Sequence, residues 1–324
     1  MNGVLERVAG APITWGVCEV PGWGYQLDAA RVLGEMTEVG LQATELGPDG
    51  FLPTDPSELR MTLASYGLQL VGGFVPAVLH DPARRGVELA RVRRSADLLS
   101  AAGSSILVLA ASTGAYGYEA AGDLDAETWA HLTAGIDRVV EIANGLGMTV
   151  GFHPHHGTLV EGPEQVQRLL ETSDVALCVD TGHLMVGGAD PVSIVEEAGH
   201  RVVHVHLKDV DAEMAEEVRS RRIGYHDAVR RGLYRPLGLG DVDIGQIVGR
   251  LEGAGYGGWY VLEQDTVLID HPEEGAGPVE DARANLDGLR RIEDVLGREA
   301  PEGSPNGEHS PHAASAGGRR EEGR

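Results

Sequence analysis

The sequence predicts a (β/α)8 TIM barrel. Two observations carry the prediction. Eight short β-like runs alternate with eight helix-period segments between residues 11 and 296, and parallel strands need such crossovers. Polar residues also gather where the runs end, and that end of a barrel carries its chemistry. A doubly wound open sheet would place a G-x-G-x-x-G turn after its first strand, and the stretch Trp15-Gly16-Val17-Cys18 does not supply one.

The strands are expected, in order, over residues 11–16, 42–46, 68–74, 105–111, 148–154, 175–180, 201–208 and 258–263. The helices are expected over 28–39, 56–66, 83–102, 126–146, 163–171, 191–198, 244–254 and 279–296. Gly40, Gly67, Gly103, Gly147 and Gly255 each stand between a helix and the next strand, where a left-handed stop is needed. One connection is long, residues 209–243, and contains a charged, helical stretch over 211–231. Long loops on this face shape or cover active sites. Gly238-Leu239-Gly240-Asp241 reads as a tight turn into the seventh helix. The barrel is thus one domain over residues 1–296. Residues 297–324, rich in Gly, Pro, Ser and charge, are expected to stay disordered, since they bury too little to offset ordering entropy.

Composition narrows the function. The chain has 324 residues, 42% of them hydrophobic, enough for a large core. Its formal net charge is −24. That acidity excludes a basic nucleic-acid groove and disfavours anionic membranes. The two cysteines, Cys18 and Cys178, are too few for a disulfide framework and are expected as reduced thiols. No apolar run reaches membrane-spanning length, and the first residues lack a signal-peptide core. A cytoplasmic enzyme with a small-molecule substrate is the expectation.

The strand ends hold the chemistry. Strand five ends in Phe152-His153-Pro154-His155-His156, strand six in Val179-Asp180-Thr181-Gly182-His183, and strand eight in Leu262-Glu263-Gln264-Asp265. Strand seven reads Val203-His204-Val205-His206-Leu207-Lys208. Side chains alternate along a strand, so His204, His206 and Lys208 share one face, as do His153 and His155. If these faces point inward, His153, Asp180, His206 and Glu263 converge. Each alone has a plain structural explanation: Asp180 can cap a helix and Glu263 can pair with an arginine. Together, unpartnered, they would cost several kcal/mol of buried polarity, which a metal relieves. Two imidazoles and two carboxylates suit Mn2+, Co2+, Fe2+ or Zn2+ better than Ca2+. Lys208 is the one lysine among 26 basic residues. It is a candidate proton carrier, or a partner of Asp209 or Glu263 in an ion pair. Glu45 is expected to bind a sugar hydroxyl or an arginine. Trp15 and Trp23 are expected either to wall a polyol ring or to pack in the core.

These motifs resemble the xylose-isomerase-like TIM-barrel superfamily of sugar isomerases, epimerases and endonuclease IV, and within it the inosose dehydratase branch. The resemblance rests on A-P-I-T-W-G at Ala11, A-T-E-L-G at Ala43, F-H-P-H-H-G-T at Phe152, V-D-T-G-H at Val179, R-V-V-H-V-H-L-K-D-V at Arg201, P-L-G-L-G-D-V-D at Pro236 and G-W-Y-V-L-E-Q-D at Gly258. It implies metal ligands at His153, Asp180, His206 and Glu263. Gly16-Val17-Cys18-Glu19 departs from that branch, which carries an Asn-Asp pair there. His155-His156 stands where the branch tends to have His then Met. The implied reaction is loss of water from a cyclic keto-polyol through a metal-stabilised enolate, with Mn2+ or Co2+ first among the metals. Lys208, His155 and Glu263 are the acid/base candidates, and His183 is expected to orient substrate or a ligand. A sugar isomerase or epimerase would use the same ligands. A phosphodiesterase is disfavoured by the acidity, and a non-catalytic polyol-binding barrel is the remaining class. Barrels of this group are commonly homo-oligomers, though no interface is readable in the sequence.

Overall fold

Short apolar runs pair in parallel here because the segments between them are long enough to return as helices. A computed structural model describes residues 3–119 and 122–299. In it the chain runs β1 (Val8–Gly10), α1 (Ala29–Val39), β2 (Ala43–Glu45), α2 (Pro56–Ser65), β3 (Gln69–Gly72), β4 (Phe74–Ala77), α3 (Arg85–Ala102), β5 (Ile106–Ala111) and α4 (Ala126–Asn144). There follow β6 (Thr149–Phe152), α5 (Pro163–Thr172), β7 (Leu177–Asp180), α6 (Thr181–Gly187), α7 (Pro191–Ala198) and β8 (Val202–Leu207). The last part holds β9 (Asp209–Val210), α8 (Ala212–Arg219), α9 (Tyr225–Arg230), β10 (Tyr234–Arg235), α10 (Ile244–Gly253), β11 (Tyr260–Leu262) and α11 (Pro278–Glu299).

Nine strands form one sheet in the order β3-β2-β1-β11-β8-β7-β6-β5-β4, with every pair parallel. Its two ends, β3 and β4, are halves of a single run divided at Gly73, so the sheet closes into a TIM barrel. The expected third strand, 68–74, is therefore two strands. At the seam the Leu46 amide donates to the Gly72 carbonyl and the Val108 amide to the Gly73 carbonyl, each at 3.0 Å. A Cβ at residue 73 would stand 2.9 Å from Leu99, so glycine lets α3 close over the break.

The core has two parts. Between strands and helices lie large residues such as Leu33, Met36, Leu99, Leu107 and Ile136. Inside the barrel lies a floor of small ones: Ala9, Ala11, Ala43, Val71 and Val261. Removing such surface from water stabilises by about 25 cal/mol per Å². The small floor leaves the upper interior to polar side chains. Many of the helices begin on aspartates: Asp28, Asp55, Asp125, Asp190, Asp211 and Asp243 each accept a backbone N–H of the first turn, a cap worth about 1 kcal/mol. Helices α1 and α3 stop at Gly40 and Gly103, with φ of 93° and 99°.

Three expectations shift. The first strand is Val8–Gly10, and residues 12–15 form a 3-10 turn instead. Pro12 cannot donate to a ladder, and Gly16 turns the chain with φ 78°. Helix α6 follows Asp180 directly and was not expected. The last helix runs to Glu299, beyond the expected 296; residues 300–324 lie outside the described residues. The long connection is helical as expected, in α8 and α9, and β9 pairs antiparallel with β10 at its base. Among the described residues no helix is long and apolar enough to cross a membrane.

Candidate active site

Alternation on β8 turns His204 and His206 into the barrel, and Lys208 continues their face. The register of β7 sets Cys178 beside His204 and Asp180 beside His206. Asp180 then does two jobs. Its Oδ1 accepts the His183 amide at 2.8 Å and so caps α6. Its Oδ2 lies 3.3 Å from His153 Nε2 and 3.5 Å from His206 Nδ1. Glu263, just past β11, brings Oε2 to 3.2 Å from the same His206 Nδ1. Ligand atoms of Asp180, His206 and Glu263 converge, His153 reaches the same Asp180 oxygen, and all four residues are buried.

Below them Glu45 at the end of β2 reaches across the barrel. Its Oε1 lies 2.8 Å from His204 Nε2 and 3.1 Å from His206 Nε2. Burial would raise this carboxyl, but His206 and His204 outweigh it and hold it well below the usual carboxylate range. Glu45 was expected to meet a sugar hydroxyl or an arginine; among the described residues it meets two imidazoles and no arginine, and it also lines the cavity. Room for the bridge comes from Gly72, where a Cβ would lie 3.1 Å from Glu45 Oε1.

Lys208 is 1% exposed. Its Nζ donates to Glu263 Oε1 and Asp265 Oδ1, each at 2.7 Å, and faces His183 Nε2 at 3.0 Å. Asp180 Oδ2 is 3.2 Å away. Burial would lower this ammonium, but Asp180, Asp265 and Glu263 outweigh it and hold it well above its ordinary value. An ammonium with its three N–H bonds spent has no lone pair with which to take a proton. In this state Lys208 can give a proton but not take one, and its ion-pair partners are Glu263, as expected, and Asp265, not Asp209. Asp209 instead accepts the amides of Gly238, Gly240 and Val242 at 2.8–3.0 Å, pinning the tight turn expected there.

A cavity of about 190 Å³ opens above these groups, lined by Glu45, His153, His155, His206, Glu263 and Asp265 among others. His155 is set apart by its tautomer. Its Nδ1 lies 2.6 Å from the His156 carbonyl, so Nδ1 carries the hydrogen and Nε2 the lone pair. Burial, aided by His153 and Lys208, holds the ring well below 6.5 and hence neutral. It packs between Tyr118, centroids 4.7 Å apart, and His183, 3.8 Å apart. His183, expected to orient substrate or a ligand, backs His155 and meets Lys208, and it is absent from the cavity wall. Trp15 is also absent. It is fully buried, and its indole N–H donates to Glu35 at 2.9 Å, so the core reading of Trp15 holds. Trp23, 2% exposed, donates to the Thr266 carbonyl.

Three groups escaped the sequence reading. Asp265 shares the inward face with Glu263, and period-two alternation would have found it. Glu19 and Tyr118 meet over the cavity through a phenol-to-carboxylate hydrogen bond. Tyr225 of α9 donates to Asp265 Oδ2 at 2.6 Å. Glu19 and Tyr118 come from loops and Tyr225 from a short helix of the long connection, where no barrel periodicity marks a residue.

The donor set fits a divalent ion. Ligand atoms of Asp180, His206 and Glu263 lie within 4.8 Å of one another. His206 Nδ1 is buried and makes no hydrogen bond, as is His153 Nδ1. Burial would lower the His206 imidazole, but Cys178, Glu263 and Glu45, in that order, outweigh this and hold it well above 6.5. The site thus draws positive charge to that nitrogen, and metal binding at such a position displaces the proton. Burial pushes the Glu263 carboxyl up to about 7, against the pull of His206 and Lys208. A carboxyl so placed gains from a further cation.

A family model described as xylose isomerase-like TIM barrel matches residues 33–292. An inosose dehydratase of Geobacillus kaustophilus (strain HTA426) is 33% identical over 278 residues, which covers 82% of this chain and 90% of that protein. The rhizopine catabolism protein MocC of Rhizobium meliloti is 32% identical over 269 residues, covering 80% and 81%. Among solved structures, the IOLI protein with a binding zinc atom superposes with a TM-score of 0.66 at 13% identity, over 90% of this chain and 99% of that one. A shared barrel, a family match across most of its length and full-length relatives above 30% identity place this chain in the xylose isomerase-like TIM barrel family, in the group that contains the inosose dehydratases.

Proposed function

We propose that this chain is a metal-dependent hydro-lyase that removes water from a cyclic keto-polyol, 2-keto-myo-inositol (inosose), giving an enolised trihydroxycyclohexane-dione. The observation that carries the reading is His155: a neutral imidazole whose bare Nε2 shares a cavity with His153, His206 and Glu263. The substrate class rests on the inosose dehydratase that matches this chain over 90% of its own length.

His153, Asp180, His206 and Glu263 would hold one divalent ion, Mn2+ or Co2+ ahead of Fe2+ or Zn2+. Such an ion stabilises the negative charge that develops on a ketone oxygen when the α-proton leaves. His155 Nε2 accepts that proton. The electron pair of the C–H bond becomes the new C–C π bond, and the β C–O bond breaks. His155 returns the proton to the departing hydroxyl, which leaves as water, so the base ends as it began. Glu45 keeps His206 in one orientation throughout. Glu19 and Tyr118, which also line the cavity, would bind ring hydroxyls.

The test is to incubate metal-stripped protein with 2-keto-myo-inositol, with and without Mn2+ or Co2+, and follow ultraviolet absorbance of the enolised diketone. Metal-dependent growth of the absorbance supports the dehydratase. Metal uptake with no absorbance change overturns it and returns the weight to a sugar isomerase or epimerase, which moves a proton without losing water.

A further inference from the structure

We infer that the Lys208 ammonium acts as the second cation of a two-cation site, filling a metal position built by His183, Glu263 and Asp265 and so limiting the protein to one divalent ion. The inference rests on the metal site proposed above and extends it.

The second position is visible as a donor set. One ligand atom each from His183, Glu263 and Asp265 lies within 4.8 Å of the other two, and all three residues are buried. An imidazole with two carboxylates is a metal-ligand set in its own right. Lys208 Nζ sits among these atoms, 3.0 Å from His183 Nε2, 2.7 Å from Glu263 Oε1 and 2.7 Å from Asp265 Oδ1. Glu263 serves both positions: Oε1 faces Nζ and Oε2 faces His206. Asp180 Oδ2 also faces both, at 3.2 Å from Nζ and 3.5 Å from His206 Nδ1. Shared carboxylates of this kind bridge the ions of two-metal sites.

The chain is shaped to admit the lysine. A Cβ at Gly182 would stand 2.7 Å from Lys208 Cγ and 2.8 Å from its Cβ and Cδ, so the stem runs through a channel that only a glycine leaves open. An arginine would not serve, since its planar fork cannot take three convergent acceptors as a point charge does. Charge agrees as well. Asp180, Glu263 and Asp265 all contact Nζ. One ammonium offsets one of those carboxylates, and one divalent ion offsets the other two. Remove the ammonium and the site lacks a positive charge while keeping a complete donor set.

The test counts metal. Wild-type protein, Lys208→Ala, Lys208→Met and Lys208→Ala/Asp265→Asn are dialysed to equilibrium against Mn2+, then against Zn2+, and metal per chain is measured by mass spectrometry, with circular dichroism as the check on folding. We expect one ion in the wild type, two in Lys208→Ala and one in the double variant. Lys208→Met fills the channel without charge; it should hold one ion, bound at least about tenfold more tightly because a neighbouring positive charge is gone. One ion in a folded Lys208→Ala overturns the inference and leaves the metal site standing. Should Lys208→Ala not fold, unchanged or weaker affinity in Lys208→Met overturns it instead. No ion in the wild type overturns the metal-site proposal and this inference with it.

Discussion

Glu45 Oε1 lies 3.1 Å from His206 Nε2, reaching from β2 across the barrel to β8 and leaving His206 Nδ1 to Asp180 and Glu263. A carboxylate behind a ligating imidazole fixes its tautomer and raises its basicity. Glu45→Ala should therefore weaken metal binding about 10- to 100-fold, although residue 45 is not among the proposed ligands. It should also cost about 1–3 kcal/mol of folding free energy, because two buried imidazoles lose their acceptor. Metal titration and urea unfolding measure the two effects. Wild-type affinity in the variant would mean that packing alone orients His206.

His206→Ala removes the imidazole that both Asp180 and Glu263 face. Metal binding and turnover should vanish together while far-UV circular dichroism stays native. Full metal-dependent turnover in this variant would show that the ion, if needed, sits elsewhere.

His153 and His155, both just past β6, separate chemically. His155→Asn keeps a donor for the His156 carbonyl but removes the lone pair at Nε2 of this cavity-lining ring. Metal stoichiometry should be unchanged and kcat should fall by about 10²- to 10⁴-fold, the usual contribution of a positioned base. Exchange of the substrate α-proton with deuterated solvent should be lost in step. A variant that exchanges at the wild-type rate would take the base role from His155.

Much of this was legible in the sequence, and the boundary between what was and was not is physical. Alternation on β8 placed His204, His206 and Lys208 on one face, and strand-end logic brought His153, Asp180 and Glu263 to them. Period alone does not fix where a strand begins: Ala11-Pro12-Ile13-Thr14-Trp15 is apolar enough for a strand, but Pro12 and Gly16 make it a turn. Nor does sequence reveal which partner wins a polar group. Glu45 met two imidazoles because Gly72 leaves a path across the barrel. Tyr118 depends on loop geometry, which carries no repeat.

Trp15 follows from the same turn. It is fully buried and its Nε1 donates to Glu35 Oε2. Trp15→Phe should cost about 1–3 kcal/mol, since a buried carboxylate oxygen loses its donor, with KM for the keto-polyol unchanged. A shift in KM without loss of stability would return Trp15 to the substrate wall.

Acid sensitivity should trace in part to Glu161. Its Oε1 lies 2.8 Å from His156 Nδ1 and its Oε2 accepts the Gly157 amide at 3.0 Å. Burial would raise this carboxyl, but His156 and the Gly157 amide outweigh it and hold it below its ordinary value. A carboxyl depressed in the folded state stabilises fully above its unfolded value, about 4.3, and that contribution is lost as pH falls through the folded value. Glu161→Gln should thus be less stable than wild type by about 1 kcal/mol at pH 7. The gap should narrow once pH drops below about 4.3 and close further down, as the wild-type carboxyl takes up its proton. Urea unfolding of both proteins across pH 3–7 reads this directly. A gap that stays constant to the lowest pH would mean that the Glu161 carboxylate charge contributes nothing and that only its shape is used.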